Sequence, residues 1–78
     1  MNSFEQLQAA IAATLKVAPS KITESTKKEE LAAWDSLAHL NLMMALEQTF
    51  GITLDVEDFD RLTSVPTIIE HLKREGVY

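Results

Sequence analysis

The chain has 78 residues, no cysteine and a formal net charge of −5; this length allows one domain, spanning residues 1–78, around one small core. A chain without cysteine has no disulfide framework, thiolate metal site or thiol nucleophile, which points to a reducing, cytoplasmic setting. No apolar run reaches the ~20 residues of a membrane span, and residues 1–5 lack a signal peptide's basic and apolar stretches.

The charge is uneven. Eight acids and no Lys or Arg lie between Glu29 and Asp60, whereas residues 1–28 and 61–78 are both net positive. So negative a middle argues against nucleic-acid binding, which needs cations against phosphate. It suits a partner with a basic patch, or serves as a solvated surface that aids solubility.

In chain order, Ser3 and Gln6 have the spacing of a capping box, and Phe4, Leu7, Ile11 and Leu15 fall on one helical face. Pro19 forbids continuation, so the first helix is expected from about Phe4 to Lys16. Residues 17–34 read as a long irregular connection with Val17, Ile22, Leu31 and Trp34 as anchors, and Thr26–Glu29 has the pattern to cap a single helical turn. The second helix starts at Asp35 or Ser36 and runs to Phe50. His39, Leu42, Met43, Leu46 and Phe50 form its core face, with Leu37, Leu40 and Met44 on a neighbouring stripe. Gly51 is placed as the left-handed residue that stops it, with Ile52 making the accompanying apolar contact.

Asp55 caps a short third helix whose Val56, Phe59 and Leu62 are expected to face inward. Ser64 caps the last helix, Pro66 is tolerated in its first turn, and Ile68, Ile69 and Leu72 pack. Lys73 and Arg74 favour the dipole of its last turn, and Gly76 ends it. No strand alternation or repeat is present. The expected fold is all-α: three longer helices and one short one, with a long loop between the first two.

Asp35-Ser36-Leu37 is where chemistry is expected. A serine in the first turn of a helix lies near unpaired N–H groups and the positive end of the dipole, where a phosphate ester is stabilised. The alternative is that Ser36, or Asp35 beside it, merely caps the helix.

Trp34-Asp35-Ser36-Leu37, followed by Met44-Ala45-Leu46-Glu47 and Phe50-Gly51-Ile52, resembles the second-helix region of acyl carrier proteins. The spacing to residues 55–62 and the Thr63-Ser64-Val65 opening of the last helix are similar too, so the resemblance covers nearly the whole chain. It implies the fold of that family. It also implies that a phosphopantetheinyl transferase moves 4′-phosphopantetheine from coenzyme A onto Ser36, with Asp35 and Leu37 helping recognition, and that the arm's thiol carries acyl groups as thioesters. The chain would then be a free-standing monomeric carrier rather than an enzyme, working with acyl-loading and acyl-transferring partners. Leu40, Asn41, Met44 and Glu47, joined by Asp55, Glu57 and Asp58, would form the docking face. Leu42, Leu46, Phe59, Leu62 and Ile68 would line a crevice for the acyl chain.

The pattern also departs from the family. Ala38, Asn41 and Gln48 stand where acids are common, Ala32, Ala33 and Trp34 where a glycine often precedes the motif, and Lys27 and Lys28 near an expected aromatic. A less acidic face with Leu37, Leu40 and Met44 suits a dedicated pathway handling polyketide, aminoacyl or hydroxyacyl intermediates better than housekeeping fatty-acid synthesis.

Other readings have less behind them. Ser36 and His39 are three apart on a helix, but no Gly-x-Ser-x-Gly elbow or oxyanion hole accompanies them; His39 reads as a packed histidine and His71 as a surface or edge residue. A calcium loop counted from Asp55 would need glycine and glutamate where Asp60 and Pro66 stand, so no metal site is expected. The remaining rival is a small helical module that docks through the same acidic, partly apolar face and is never modified.

Overall fold

A computed structural model describes residues 4–78. The Ser3 cap expected at the start of the first helix lies outside the described residues. Among the described residues four α-helices follow one another: α1 (Phe4–Leu15), α2 (Ser36–Phe50), α3 (Val56–Arg61) and α4 (Val65–Arg74). No strand is present among the described residues, and single 3-10 turns at Pro19–Lys21 and Lys28–Glu30 punctuate the long connection.

Leu7, Ile11 and Leu15 of α1 pack on Leu42, Met43 and Leu46 of α2, with Leu62, Val65, Ile68 and Leu72 completing the core, all at most 5% exposed. Trp34 and Ile22 are buried with them, so the long connection is anchored at both ends. Val17 and Leu31 pack against the core only partly buried.

The helix ends follow local chemistry. α1 stops at Leu15, one residue before the expected end and well before Pro19. Lys16 adopts φ 59°, the left-handed conformation that non-glycine residues rarely take, and the Val17 N–H reaches back to the Ala12 carbonyl at 3.1 Å. Gly51 does the same for α2 at φ 66°, with Ile52 N–H on the Glu47 carbonyl, as the sequence predicts. Ser64 caps α4 and exchanges bonds with Thr67, and Gly76 takes φ 77° beyond its end.

Two expectations are corrected. Val56 does not face inward; it is 79% exposed. It opens the six-residue α3, and helical side chains lean toward the N-terminus, so Val56 projects past the helix start instead of onto the bundle. His71 is not a surface residue; it is buried on α4 with Val65, Ile68 and Leu72. Its Nδ1 lies 3.4 Å from Arg61 Nη2, and its Nε2 has no hydrogen-bond partner among the described residues.

The long connection is held by backbone groups. Lys28 N–H donates to the Thr63 carbonyl at 2.9 Å and Val65 N–H to the Thr26 carbonyl at 2.8 Å, joining the connection to the start of α4. Gln8 on α1 donates from Nε2 to the carbonyls of Pro19 and Ile22. These bonds fix the approach of Trp34 and Asp35 to α2.

Candidate functional site

The start of α2 shows which of Asp35 and Ser36 caps the helix. Asp35 is extended, its carbonyl accepts from His39 N–H at 2.8 Å, and its Oδ1 accepts from Ala38 N–H at 2.9 Å. Asp35 therefore caps the helix. Ser36 is the first helical residue; it is exposed, and its hydroxyl has no hydrogen-bond partner among the described residues. The oxygen is available because its neighbour has taken the capping role.

Beside Ser36 runs a groove of about 420 Å³ lined by Lys28, His39, Leu40, Phe59, Asp60 and Thr63. The backbone bond between Lys28 and Thr63 closes one side of it. On the other side Trp34 Nε1 donates to His39 Nδ1 at 2.9 Å, and His39 Nε2 lies 2.6 Å from the Phe59 carbonyl. An indole nitrogen can only donate, so His39 Nδ1 accepts and its Nε2–H donates to Phe59. His39 is thus the packed histidine the sequence predicts. Its bonds to the loop before Ser36 and to α3 went unforeseen, although two buried nitrogen heterocycles five residues apart both need partners.

These residues fit a phosphopantetheine group. Ser36, with its exposed hydroxyl at the start of α2, and Lys28 line one groove, which suits a phosphodiester at the helix start. When attached, the group supplies a thiol, which the cysteine-free chain otherwise lacks.

The expected docking residues are dispersed along α2 and α3. Leu37, Leu40 and Met44 are 69%, 44% and 46% exposed and form an apolar stripe on α2, and Val56 at the start of α3 is exposed as well. Asn41, Asp55 and Glu57 are exposed. Glu47 is half-buried, and its Oε2 accepts the Leu54 N–H at 2.8 Å, which holds the loop after α2. Asp58 is also half-buried: it accepts the Asp55 N–H, while Asp55 accepts the Asp58 N–H in return, and it pairs with Arg61. Burial pushes the Asp58 carboxyl up, but the Asp55 amide, the Arg61 guanidinium and the nearby His71 outweigh it and hold its pKa below the ordinary value.

Of the residues expected around an acyl chain, Phe59 lines the groove, while Leu42, Leu46, Leu62 and Ile68 lie in the core at 0–1% exposure. Lys28, Asp60 and Thr63 line the groove without having been expected there. The backbone contacts that bring their segments together leave no side-chain pattern in the sequence. No group of three or more His, Cys, Asp or Glu able to hold a metal exists among the described residues. No helix is long and apolar enough to cross a membrane among those same residues.

Residues 5–72 match the family model described as the phosphopantetheine attachment site. The chain is 30% identical to the acyl carrier protein of Helicobacter pylori strain G27 over 73 residues, covering 94% of each chain. It is likewise 30% identical to the acyl carrier protein of Campylobacter hominis, over 94% of this chain and 92% of that one. With the acyl carrier protein of Thermosynechococcus vestitus the identity is 33%, over 92% of this chain and 89% of the other. The chain belongs to the acyl carrier protein family: it is a carrier and not a catalyst, its cofactor is 4′-phosphopantetheine, and it works with a phosphopantetheinyl transferase and acyl-handling enzymes.

Proposed function

We propose that Ser36 Oγ is the attachment point of the phosphopantetheine arm and that acyl groups ride on the arm's thiol as thioesters. The observation that carries this is the division of labour at the start of α2: Asp35 caps the helix and leaves the Ser36 hydroxyl exposed and unpartnered among the described residues. Asp35 and Leu37 flank it and present the helix start to the transferase.

Partners dock on the face that includes Leu37, Leu40, Asn41, Met44 and Glu47, joined by Asp55, Glu57 and Asp58. Leu37, Leu40 and Met44 supply exposed apolar area there, and Asn41 places a neutral side chain among them. Such a face favours partners with mixed basic and apolar patches, and hence a specialised pathway carrying polyketide, aminoacyl or hydroxyacyl intermediates. Phe59 offers an acyl chain an apolar wall in the groove beside Ser36, and Leu62, Leu42, Leu46 and Ile68 are the core side chains behind that wall. The carrier acts as a monomeric single domain over residues 1–78 in the cytoplasm, a setting that its lack of cysteine favours.

Incubation with coenzyme A and a broad-specificity phosphopantetheinyl transferase tests the attachment by intact mass. The expected result is a gain of one phosphopantetheine that disappears in Ser36→Ala. No gain in the wild-type protein would overturn the assignment and leave an unmodified docking module. Equal performance with a housekeeping carrier in standard fatty-acid elongation would overturn the specialised pathway.

A further inference from the structure

His39 is the most buried residue lining the groove beside Ser36, and both of its nitrogens are engaged. The bond to Phe59 fills a vacancy in α3. A Phe59 carbonyl inside a longer helix would accept from Thr63 N–H, but α3 ends at Arg61 and Thr63 N–H turns to the Arg61 carbonyl at 3.0 Å. The imidazole of α2 takes that place, so one side chain spans the seam between the two helices. Leu42 lies one turn farther along the same face of α2, and Leu62 follows directly on α3, both closed to solvent.

Widening the seam at this point would break the bond to Phe59, leaving a buried donor and a carbonyl unpaired. The groove outside the seam has a volume of about 420 Å³. Its apolar part is Leu40 and Phe59, and Lys28, Asp60 and Thr63 give it a polar border. The geometry points to His39 as a gate that sets the chain length this carrier accepts: short acyl groups lie in the groove against Leu40 and Phe59, and the route to Leu42, Leu46, Leu62 and Ile68 stays shut. A border of ammonium, carboxylate and hydroxyl groups suits short acyl chains that bear polar substituents. His39 is a positioning residue here, and the inference rests on attachment of the arm at Ser36.

The holo protein, loaded with saturated acyl chains of increasing length, tests the gate through thioester cleavage by hydroxylamine and the methyl resonances of Leu42, Leu46, Leu62 and Ile68. In the wild type, cleavage is expected to stay nearly independent of chain length, with the core methyl resonances unmoved. His39→Leu keeps an apolar side chain but no bond to Phe59. Its protection is expected to grow by up to about fourfold per added methylene, the equivalent of ~0.8 kcal/mol for each CH2 buried. His39→Gln retains an amide donor for the Phe59 carbonyl and is expected to restore the wild-type pattern, which a loss of general packing would not do. Wild-type protection that climbs with chain length, together with shifted core methyls, would overturn the gate whether or not the leucine variant folds. Failure of the arm to attach would show earlier, as absence of the mass gain, and separates failure of the carrier assignment from failure of the gate.

Discussion

Glu47 separates a docking charge from a structural one. Its side chain takes the Leu54 N–H at 2.8 Å, while its own carbonyl accepts from the N–H groups of Gly51 and Ile52. One residue thereby organises the whole turn between α2 and the buried Leu54. Removing the carboxylate with Glu47→Ala leaves a partly buried amide unpaired. A hydrogen bond to a charged group is worth about 1.5–3 kcal/mol, and partial exposure at this site places the loss near ~1–2 kcal/mol. At about 4–8 °C per kcal/mol for a domain of this size, the melting temperature should fall by roughly 4–16 °C. Glu47→Gln keeps an acceptor for Leu54 and should lose about half as much or less. Far-UV circular dichroism melts of the three proteins, read beside the KM for the transferase, give the comparison. If Glu47→Ala melts with the wild type, or Glu47→Gln falls as far as alanine, the hook to Leu54 does not hold the turn. If only the KM moves, and equally in both variants, Glu47 acts as a docking charge alone.

Lys16 sits at φ 59° with no glycine to ease the conformation. Lys16→Gly should therefore stabilise the fold by about 1 kcal/mol, the left-handed penalty less the extra freedom glycine has when unfolded. Urea titration checks this, and a lower midpoint would refute it. Asp58, with its pKa held below the unfolded value of about 3.9, contributes stability that is present above pH ~4 and lost as the pH falls through its folded pKa. Asp58→Asn should thus be less stable than the wild type at pH ~7, by about 1 kcal/mol or less because Arg61 is largely exposed, with the gap closing well below pH ~4. An equal gap at both pH values would show that the charge is not responsible.

The helices were legible where side chains carry the signal. Phe4, Leu7, Ile11 and Leu15 repeat at helical spacing, and Gly51 and Ser64 mark ends by the conformations and bonds they supply. The end of α1 was less legible, because a lysine, with nothing in its chemistry to announce it, takes the left-handed position. His71 was legible in principle: Val65, Ile68, His71 and Leu72 share one stripe of α4, and treating the histidine by its chemistry alone obscured its register. Val56 shows the converse, a residue in register with Phe59 and Leu62 but too near the helix start to reach the bundle. At the site, the motif marked Ser36 and Asp35 together. Dividing capping from exposure needed the Asp35 carboxylate on the Ala38 amide. The groove was out of reach because backbone bonds at Lys28 and Thr63 bring two distant segments together.

The acidity of the middle segment also changes meaning once its partners are known. Asp35, Glu30, Glu47, Asp55 and Asp58 all accept backbone N–H groups, at Ala38, Lys27, Leu54, Asp58 and Asp55. Those five carboxylates fold the chain: they start helices or hold turns, so a partner meets them at the lone pairs these bonds leave over. Glu29, Glu57 and Asp60 are exposed and have no such bond among the described residues, which makes them the charges available to a basic partner at little conformational cost. Asp60 lines the Ser36 groove, and Glu57 follows the exposed Val56 at the start of α3. The negative charge free to steer a partner thus lies on α3 and the 3-10 turn before α2, while α2 itself offers Leu37, Leu40 and Met44. An approach guided by charge toward α3 and completed by apolar contact on α2 follows from that division.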